Sequence, residues 1–437
     1  MSTPIETTTV IDLTPRDLDN LVEELRAYHA IYSLLFQRRE QREWAAQYLH
    51  GLLLELPRKS IEPLVLAMDG AQPQAVRAMQ QFLSEGSWDD MALLHRHWQE
   101  VDREVGEDEG VLILDGRDFP KPGSDSVGVK RQSCGELGKR ANCQAGVFLG
   151  YASRQGYTLL DRRLYVPQEW VTEVGYAERR RRCGVPADIA FTTNPLLGWE
   201  MLHAVRQASS LRGRWVSCDE AFGRDTDLLD RIAGLGLWSL AEVPHDTQVW
   251  QPHPVIGLPP WSGQGRPPTR VRLLEGEPEP ITVAQLAAWL PAQCWRRRTI
   301  KEGSTGPMVA RITRVRVVAV REGLPGPEVW LVLRRHPMTG ELKTYLGNAP
   351  AHTPLATLVR LSGMRWPIET CFEDGKQYLG RGDYEVRRWR GWHHHLTLVL
   401  LAHFFLVRLR LRLKKSAGPD AAPGAGAAAR GPAQAGI

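Results

Sequence analysis

The sequence predicts a mixed α/β protein whose sheet is interrupted by a β-rich insertion and preceded by an all-helical N-terminal region. Three observations predict this class. Helical periodicity fills roughly the first hundred residues, two apolar runs end in Asp115 and Asp219, and turn-rich β-branched runs separate the second aspartate from a helix near Pro367. With 437 residues, the chain is long enough for more than one domain.

The composition indicates a folded globular protein, since 43% of residues are hydrophobic and 24% are charged. A net charge of +5 is too mild to indicate nucleic-acid binding by itself. The six cysteines include no C-x-x-C pair, so their spacing predicts neither a disulfide framework nor a zinc site, and a reducing cytoplasm is expected. No signal peptide is recognised, and the apolar stretch from Leu396 to Val407 falls short of the roughly 20 residues of a membrane helix. No membrane partner is expected.

Residues 1–105 are predicted to form a helical N-terminal domain after a disordered start over residues 1–12. Thr14, Ser60 and Ser87 are candidate N-caps because serine and threonine can bond the free amides of a first helical turn. This domain is interpreted either as a DNA-end-binding module or as a purely structural bundle.

Residues 106–245 are predicted to form the first part of a catalytic core. The run Val111–Leu114 is a buried strand that ends at Asp115, and Trp215–Cys218 is another that ends at Asp219. Further elements are predicted as strands at 145–152, 157–166 and 237–243, and as helices near 196–209 and 224–234. This order favours a mixed sheet that carries both aspartates at one edge.

Residues 246–350 are predicted to be a β-rich insertion subdomain, with strands at 309–320, 329–335 and 343–347. Trp295 lies there beside Arg296, and either core packing or stacking on an unpaired base would explain it. Residues 351–415 are predicted to complete the core with an acidic helix and a basic helix over about 391–413. Residues 416–437 are predicted to be a disordered Ala/Gly/Pro tail.

The acidic helix is predicted to begin at Pro367 and to place Glu369, Glu373 and Lys376 on one face. Ile368 and Phe372 would anchor it to the core. A solvated surface is the alternative interpretation of these charges.

Two strand-end aspartates and a helix glutamate suit a site for Mg²⁺-dependent phosphoryl transfer. Magnesium prefers carboxylate oxygens and water, and two such ions can serve both the attacking and the leaving oxygen of an in-line displacement. Lys121, Lys130 and Arg131 follow the first aspartate and are candidate contacts to a phosphate backbone.

The spacing Arg365-x₃-Glu369-x₆-Lys376 resembles the R-(3)-E-(6)-K signature of DDE transposases of bacterial insertion sequences. Further matching segments are Leu114–Lys121, Ser126–Val129, Cys134–Gly138, Asn142–Gln144, Asp161–Tyr165, Cys218–Glu220, Tyr384–Arg387 and Gly391–His395. The resemblance implies an RNase H-like domain split by an insertion. It also implies catalytic and metal-binding roles for Asp115, Asp219 and Glu369, with Mg²⁺ or alternatively Mn²⁺ as cofactor.

The same resemblance implies DNA-binding roles for Arg365 and Lys376. Further candidate DNA contacts are Lys121, Lys130, Arg131, Trp295 and Arg296. The expected function is cleavage at transposon terminal inverted repeats and strand transfer into target DNA, by a homodimer on double-stranded DNA in the bacterial cytoplasm, at the nucleoid. Alternatives are a transposase-derived DNA-binding regulator without catalysis, a decayed inactive copy, or a stand-alone structure-specific nuclease.

Two positions depart from the family pattern. Gly116 stands where a second aspartate often follows the first, which leaves Asp118 as a less favoured neighbour of Asp115. Ser362 stands at the position of the signature tyrosine, which places end processing in question. The run His393–His395 could suggest metal binding, but consecutive helical residues point in different directions and cannot all reach one ion, so packing and phosphate contacts are the preferred interpretation.

Overall fold

The computed structural model describes residues 15–416 apart from residues 71, 210, 262 and 304–305. The predictions of disorder at 1–12, of the Thr14 cap and of the tail after Ser416 lie outside the described residues.

Five helices form the N-terminal region. They are α1 Pro15–Ser33, α2 Arg39–Leu53, α3 Ile61–Asp69, α4 Pro73–Ser84 and α5 Asp90–Val105. Ser60 occupies the N-cap position of α3, as predicted, although its side chain makes no capping bond. The Ser87 prediction is wrong, because α5 is capped by Asp89, whose Oδ1 accepts bonds from the amides of Met91 and Ala92. Asp89 directly precedes the first turn and reaches those amides, whereas Ser87 lies two residues too early.

The middle of the chain alternates strands with helices. Its elements are β1 Val111–Pro120, β2 Lys130–Cys134, β3 Lys139–Ala152, β4 Tyr157–Tyr165, α6 Gln168–Thr172, α7 Ala177–Arg182, α8 Asn194–Ala208, β5 Trp215–Cys218, α9 Glu220–Gly223, α10 Thr226–Gly234 and β6 Trp238–Glu242. A short 3-10 turn over Gly135–Leu137 joins β2 to β3.

The rest of the chain is strand-rich and then helical. Its elements are β7 Gln248–Trp250, β8 Ile256–Gly257, β9 Arg272–Leu273, β10 Ile281–Thr282, α11 Val283–Trp289, β11 Arg296–Gly303, β12 Gly306–Arg321, β13 Leu324–Arg335, β14 Leu342–Gly347, α12 Leu355–Leu361, α13 Trp366–Tyr378 and α14 Trp389–Ser416. The strands and helices predicted for these segments are present, with ends shifted by a few residues.

Within the described residues, twelve strands form one mixed sheet in the order β10-β7-β12-β13-β14-β6-β5-β1-β3-β2, with β11 beside β12 and β4 beside β3. Strand β5 lies between β1 and β6 and is parallel to both. The other pairs in this sheet are antiparallel. The strands of the predicted insertion therefore continue the sheet through β14 and β6, and the domain boundaries remain predictions.

Helix α14 forms the centre of the core. Its residues from Trp392 to Phe404 are buried almost without exception, and it packs on β4 and on helices α2, α4 and α5. A smaller hydrophobic cluster lies under the insertion strands and includes Val249, Leu286 and Leu331. Among the described residues, no helix combines the length and the apolar character that a membrane crossing requires.

Candidate functional site

Three acids lie side by side at one edge of the sheet. The last paired residues of the three parallel strands are in register, and these are Leu114 with Cys218 and Cys218 with Ala241. In each strand the next residue is an acid: Asp115, Asp219 and Glu242. Because residues in register on neighbouring strands share a face, these three form a carboxylate row. Sequence reasoning missed Glu242, although the same signal, an apolar run ending in an acid, was available at Leu240-Ala241-Glu242.

Asp115 is the most enclosed member of the carboxylate row, with 7% of its surface exposed. Its Oδ1 accepts a bond of 2.8 Å from the amide of Gly116. Burial raises the pKa of Asp115 to about 6, and the negative charges of Asp219 and Glu369 act in the same direction, while Arg365 opposes them. The ionised form of Asp115 therefore requires a cation nearby.

Asp219 follows β5 and caps the short helix α9. Its Oδ1 accepts bonds from the amides of Ala221 at 3.0 Å and Phe222 at 3.2 Å, which fixes the side chain. Burial raises the pKa of Asp219 against the opposing effects of Arg365 and these amides. Gly223 allows α9 to lie against β6, because a Cβ at this position would lie 1.9 Å from the carbonyl oxygen of Glu242.

Glu369 reaches this edge from helix α13, which begins at Trp366, one residue before the predicted start. Ile368 and Phe372 are buried, as predicted, and anchor the helix on the sheet. Gly150 in β3 permits the close approach, since a Cβ there would lie 3.2 Å from Cδ1 of Ile368. The Glu369 side chain is half exposed and points toward the carboxylate row.

Arg365 lies among these acids. Its Nη2 is 3.5 Å from Oδ2 of Asp115 and 3.4 Å from Oε1 of Glu369, and its Nη1 is 3.7 Å from Oε2 of Glu242. Burial alone would lower the pKa of Arg365, but the surrounding carboxylates, including Asp219, outweigh it and raise the pKa. The sequence predicted Arg365 as a phosphate contact, whereas the structure places its guanidinium where the carboxylates converge.

This donor set fits a hard divalent cation. The four side chains whose charges act most on the guanidinium are carboxylates, and carboxylate oxygens are the ligands that Mg²⁺ and Mn²⁺ prefer. Burial is the main cause of the raised pKa values of Asp115 and Asp219, so the ionised forms of both carboxyl groups gain from a cation held beside them. Glu242 has a second cation, Lys343, whose Nζ lies 2.9 Å from its Oε1. Asp115, Asp219 and Glu369 are therefore the better placed donors.

Lys376 lies at the other end of the exposed face of α13. Its Nζ is 2.6 Å from Oε1 of Glu136, whose Oε2 lies 2.5 Å from Nη2 of Arg117. Burial works against ionisation of Glu136, but Lys376, Arg117 and Arg381 outweigh it and lower its pKa. Glu373 lies on the same face of α13, is exposed, and is a second candidate for the third acid. The ion pair of Arg365 with Glu369 favours Glu369 over it.

The predicted DNA contacts near β1 differ in their accessibility. Arg131 is exposed on β2. Lys130 pairs with Glu169. Lys121 is largely enclosed, since its Nζ donates to the carbonyl oxygen of Tyr384 at 3.0 Å and lies 3.4 Å from the centre of that ring. Burial lowers the pKa of Lys121 to about 8.

The predicted contacts on the insertion lie at another part of the sheet. Arg296 is exposed at the start of β11. Trp295 is partly buried against the smaller hydrophobic cluster, and the guanidinium of Arg335 lies 4.4 Å from its ring centre. One face of the indole is thus occupied, so core packing accounts for Trp295 at least as well as base stacking does.

Two other segments singled out in the sequence are internal. The three histidines of the run are buried and have separate partners: His393 with the carbonyl of Trp389, His394 with that of Leu83, and His395 with the hydroxyl of Tyr48. These are packing contacts. Ser362 is also buried, and its Oγ donates to the carbonyl of Val359 at 2.8 Å. The signature tyrosine position therefore faces the protein interior.

A family model described as DDE superfamily endonuclease matches residues 32–307 of the chain, which is more than half of its length. The chain belongs to the DDE superfamily endonucleases. Membership confirms the predicted relationship to DDE-type transposases and the RNase H-like mixed fold. A search of curated proteins gave no match.

For this DDE endonuclease, membership indicates a nuclease of the transposase type that acts on DNA with divalent metal ions. The matched segment contains the whole carboxylate row and ends before Arg365 and Glu369. The assignment of the third acid therefore depends on the geometry of α13 and on the signature spacing.

Proposed function

We propose that this chain is a transposase of a bacterial insertion sequence and that Asp115, Asp219 and Glu369 are its catalytic residues. The observation that carries the proposal is the convergence of three carboxylates from β1, β5 and α13 on one partly buried cationic position, now held by Arg365. The proposal is also supported by the raised pKa values of the two aspartates at the ends of adjacent parallel strands, because carboxyl groups perturbed by burial and by nearby charges cluster at functional sites.

The three carboxylates would hold divalent cations, with Mg²⁺ as the natural ion and Mn²⁺ as a substitute. When bound, such ions polarise the scissile phosphodiester and acidify the attacking water. In the first step a water oxygen bonds to phosphorus and the bond to the 3′ oxygen breaks, which frees a 3′-hydroxyl and leaves a 5′-phosphate. In the second step that 3′-hydroxyl replaces the 3′ oxygen of a target phosphodiester. One phosphodiester is exchanged for another, so strand transfer needs no energy source.

Arg365 would exchange partners during this cycle. Asp115 and Glu369 would no longer need the guanidinium once they hold a cation, and Arg365 would then be free to contact a DNA phosphate. Lys376 would do the same by leaving Glu136. Arg131 and Arg296 are already exposed, while Lys121 and Lys130 must give up Tyr384 and Glu169 to reach DNA.

The partners of the protein follow from this chemistry. The substrate would be double-stranded DNA with terminal inverted repeats, followed by target DNA at the bacterial nucleoid. Two ends must be paired for coordinated insertion, and a homodimer on DNA would supply one active site for each end.

The test is an end-cleavage assay on labelled DNA that carries the sequences flanking the gene. Purified protein is incubated with Mg²⁺, Mn²⁺ or Ca²⁺, and Asp219→Asn is compared with Asp225→Asn. Asp225 caps helix α10 as Asp219 caps α9, so this control separates loss of a cap from loss of a metal ligand. Cutting in Mg²⁺ that Asp219→Asn loses and Asp225→Asn retains is the expected result.

Other outcomes would point to the alternatives. Specific binding to the ends by both variants and the parent, without cutting in any ion, would favour the DNA-binding regulator or a decayed copy. Cutting that does not depend on inverted repeats would favour a stand-alone nuclease. Each outcome contradicts the transposase proposal.

A further inference from the structure

A second cluster of metal-binding side chains lies at the hairpin formed by β2 and β3. It consists of Asp118 on β1, Cys134 at the end of β2 and Cys143 on β3, and we refer to these three as the thiol cluster. One carboxylate oxygen and the two sulfur atoms all lie within 4.8 Å of one another. Both cysteines are fully buried and Asp118 is partly buried.

The thiol cluster is separate from the carboxylate row. Asp118 is three residues after Asp115 on the same strand, so its side chain leaves β1 on the opposite face. The amide of Gly135, at the turn after β2, donates a bond of 2.6 Å to Oδ2 of Asp118. This contact orients the carboxylate from outside, as the partners of metal-binding carboxylates commonly do.

We propose that the thiol cluster binds one zinc ion through Asp118, Cys134 and Cys143. Thiolates favour zinc over the hard ions that suit the carboxylate row. A tetrahedral zinc ion with bonds of roughly 2.0–2.3 Å holds its ligand atoms about 3.3–3.8 Å apart. The three atoms of the thiol cluster therefore need to move by only about 1 Å to meet that geometry. A water molecule would complete the four ligands.

Zinc at this point would fasten the hairpin to β1. The three ligands come from three strands, and the turn that follows Cys134 carries Glu136, which pairs with Lys376 and Arg117. The hairpin also exposes Arg131 on β2. The ion would thus hold the basic hairpin and the partner of Lys376 in place beside helix α13. Zinc binding itself does not depend on the proposed DNA cleavage. The effect of zinc on DNA contact rests on the proposed function.

Binding should release protons. Zinc binds the thiolate form of cysteine, whereas an ordinary thiol is protonated at neutral pH, so binding must displace the thiol protons. Calorimetry of zinc binding in two buffers with different ionisation enthalpies would show proton release as a difference in the measured heat.

The experiment begins with untagged wild-type protein purified under reducing conditions, whose zinc content is measured by mass spectrometry. Zinc is then stripped with a chelator and Co²⁺ is added as a spectroscopic probe. We expect about one zinc ion per chain and a thiolate-to-cobalt charge-transfer band. This measurement uses no variant, so it does not depend on whether a cysteine substitution folds.

Variants identify the ligands. Cys134→Ser and Cys143→Ser should each lower the zinc affinity by more than about tenfold, the least that a change beside a metal usually costs. Asp118→Asn should weaken binding and keep the charge-transfer band. Cys294→Ser is the control, because Cys294 is exposed on the insertion and lies outside the thiol cluster.

Three results would overturn the proposal: absence of the charge-transfer band from wild-type protein, full zinc content in both cysteine variants, or a Cys134–Cys143 disulfide in the reduced preparation. None of these would affect the end-cleavage test, which depends on Asp219 and on Mg²⁺. The two proposals therefore fail independently.

Discussion

The guanidinium of Arg365 lies 3.5 Å from the carboxylate of Asp115, at the carboxyl end of the central parallel strands. It also contacts Glu369 and Glu242, and it is the charge that keeps the pKa of Asp115 from rising further. This arginine thus stabilises a crowded set of acids without any bound ion. The contribution of these charges to stability can therefore be measured in metal-free protein, by substitution of Arg365 or of the acids.

Arg365→Gln should destabilise the metal-free protein and increase the stabilisation that a divalent ion gives. Removal of the guanidinium leaves the acids uncompensated at a cost of about 1–2 kcal/mol, and a bound ion restores the balance. Thermal unfolding with and without Ca²⁺ measures both effects. Arg39→Gln, which removes an exposed pair with Glu43, should change neither. Equal Ca²⁺ shifts in Arg365→Gln and wild type would contradict this expectation.

Asp115 should make the metal-free protein less stable at neutral pH. Its pKa is about 6 when folded and 3.8 ordinarily, so the folded state binds the proton more tightly. The contribution is therefore fully favourable below pH 3.8 and is lost as pH rises through 6, a difference of up to about 3 kcal/mol.

Asp115→Asn should remove this dependence. In the presence of a chelator, the variant should be more stable than wild type above pH 6, and the advantage should disappear near pH 4. Urea unfolding from pH 4 to 8 measures it. A constant difference between the two proteins across this range would show that Asp115 does not titrate as stated.

Glu242→Gln should lower the cleavage rate less than substitution of a predicted metal ligand such as Asp219 does. Glu242 contacts Arg365 at 3.7 Å and Lys343 at 2.9 Å, and so it positions the cations around the carboxylate row. We expect a decrease of about tenfold in cleavage rate and in Mn²⁺ affinity. Glu328→Gln, which removes a more exposed pair with Arg316, is the matched control. A loss as complete as that of Asp219→Asn would make Glu242 a direct ligand instead.

Glu136→Gln should strengthen DNA binding at low salt. Glu136 holds Lys376 at 2.6 Å and Arg117 at 2.5 Å, and both cations become available to phosphate when its charge is removed. Lys376→Gln should weaken binding and lower the slope of log K against log salt by about 0.9, because one fewer phosphate is neutralised. Fluorescence anisotropy over a salt series measures both. An unchanged slope in Lys376→Gln would exclude a phosphate contact there.

The sequence allowed prediction of the strands that bring Asp115 and Asp219 together, because each is an apolar run that ends in an acid. The parallel arrangement then fixes their positions at one edge. Glu242 also follows an apolar run, but the apolar Val243 comes directly after it. The sequence therefore predicted a strand that continues past Glu242. The anchoring of α13 by Ile368 and Phe372 was also predictable, because residues four apart lie on one face of a helix.

Contacts between side chains that are distant along the chain could not be predicted from the sequence. Asp115 and Glu136, which pair with Arg365 and Lys376, lie 250 and 240 residues away along the chain, so helical spacing could not identify them. The thiol cluster was missed for the same reason, because residues 118, 134 and 143 meet only through the bends of three strands. Rules based on ligand spacing detect metal sites within one local motif. They cannot detect a site whose ligands come from separate strands of a sheet.

The missing side chain at Gly150 determines the height of helix α13 above the sheet. A methyl group there would lie 3.2 Å from Cδ1 and Cγ1 of Ile368, so that side chain, or the helix that carries Glu369 beside the strand-end aspartates, would have to shift by a few tenths of an ångström. A displacement of about 1 Å in an active site can cost on the order of 100-fold in rate. The rate therefore depends on a glycine that takes no part in the chemistry. A protein altered only at this point would keep every acid and every base, and would differ only in how closely they are aligned.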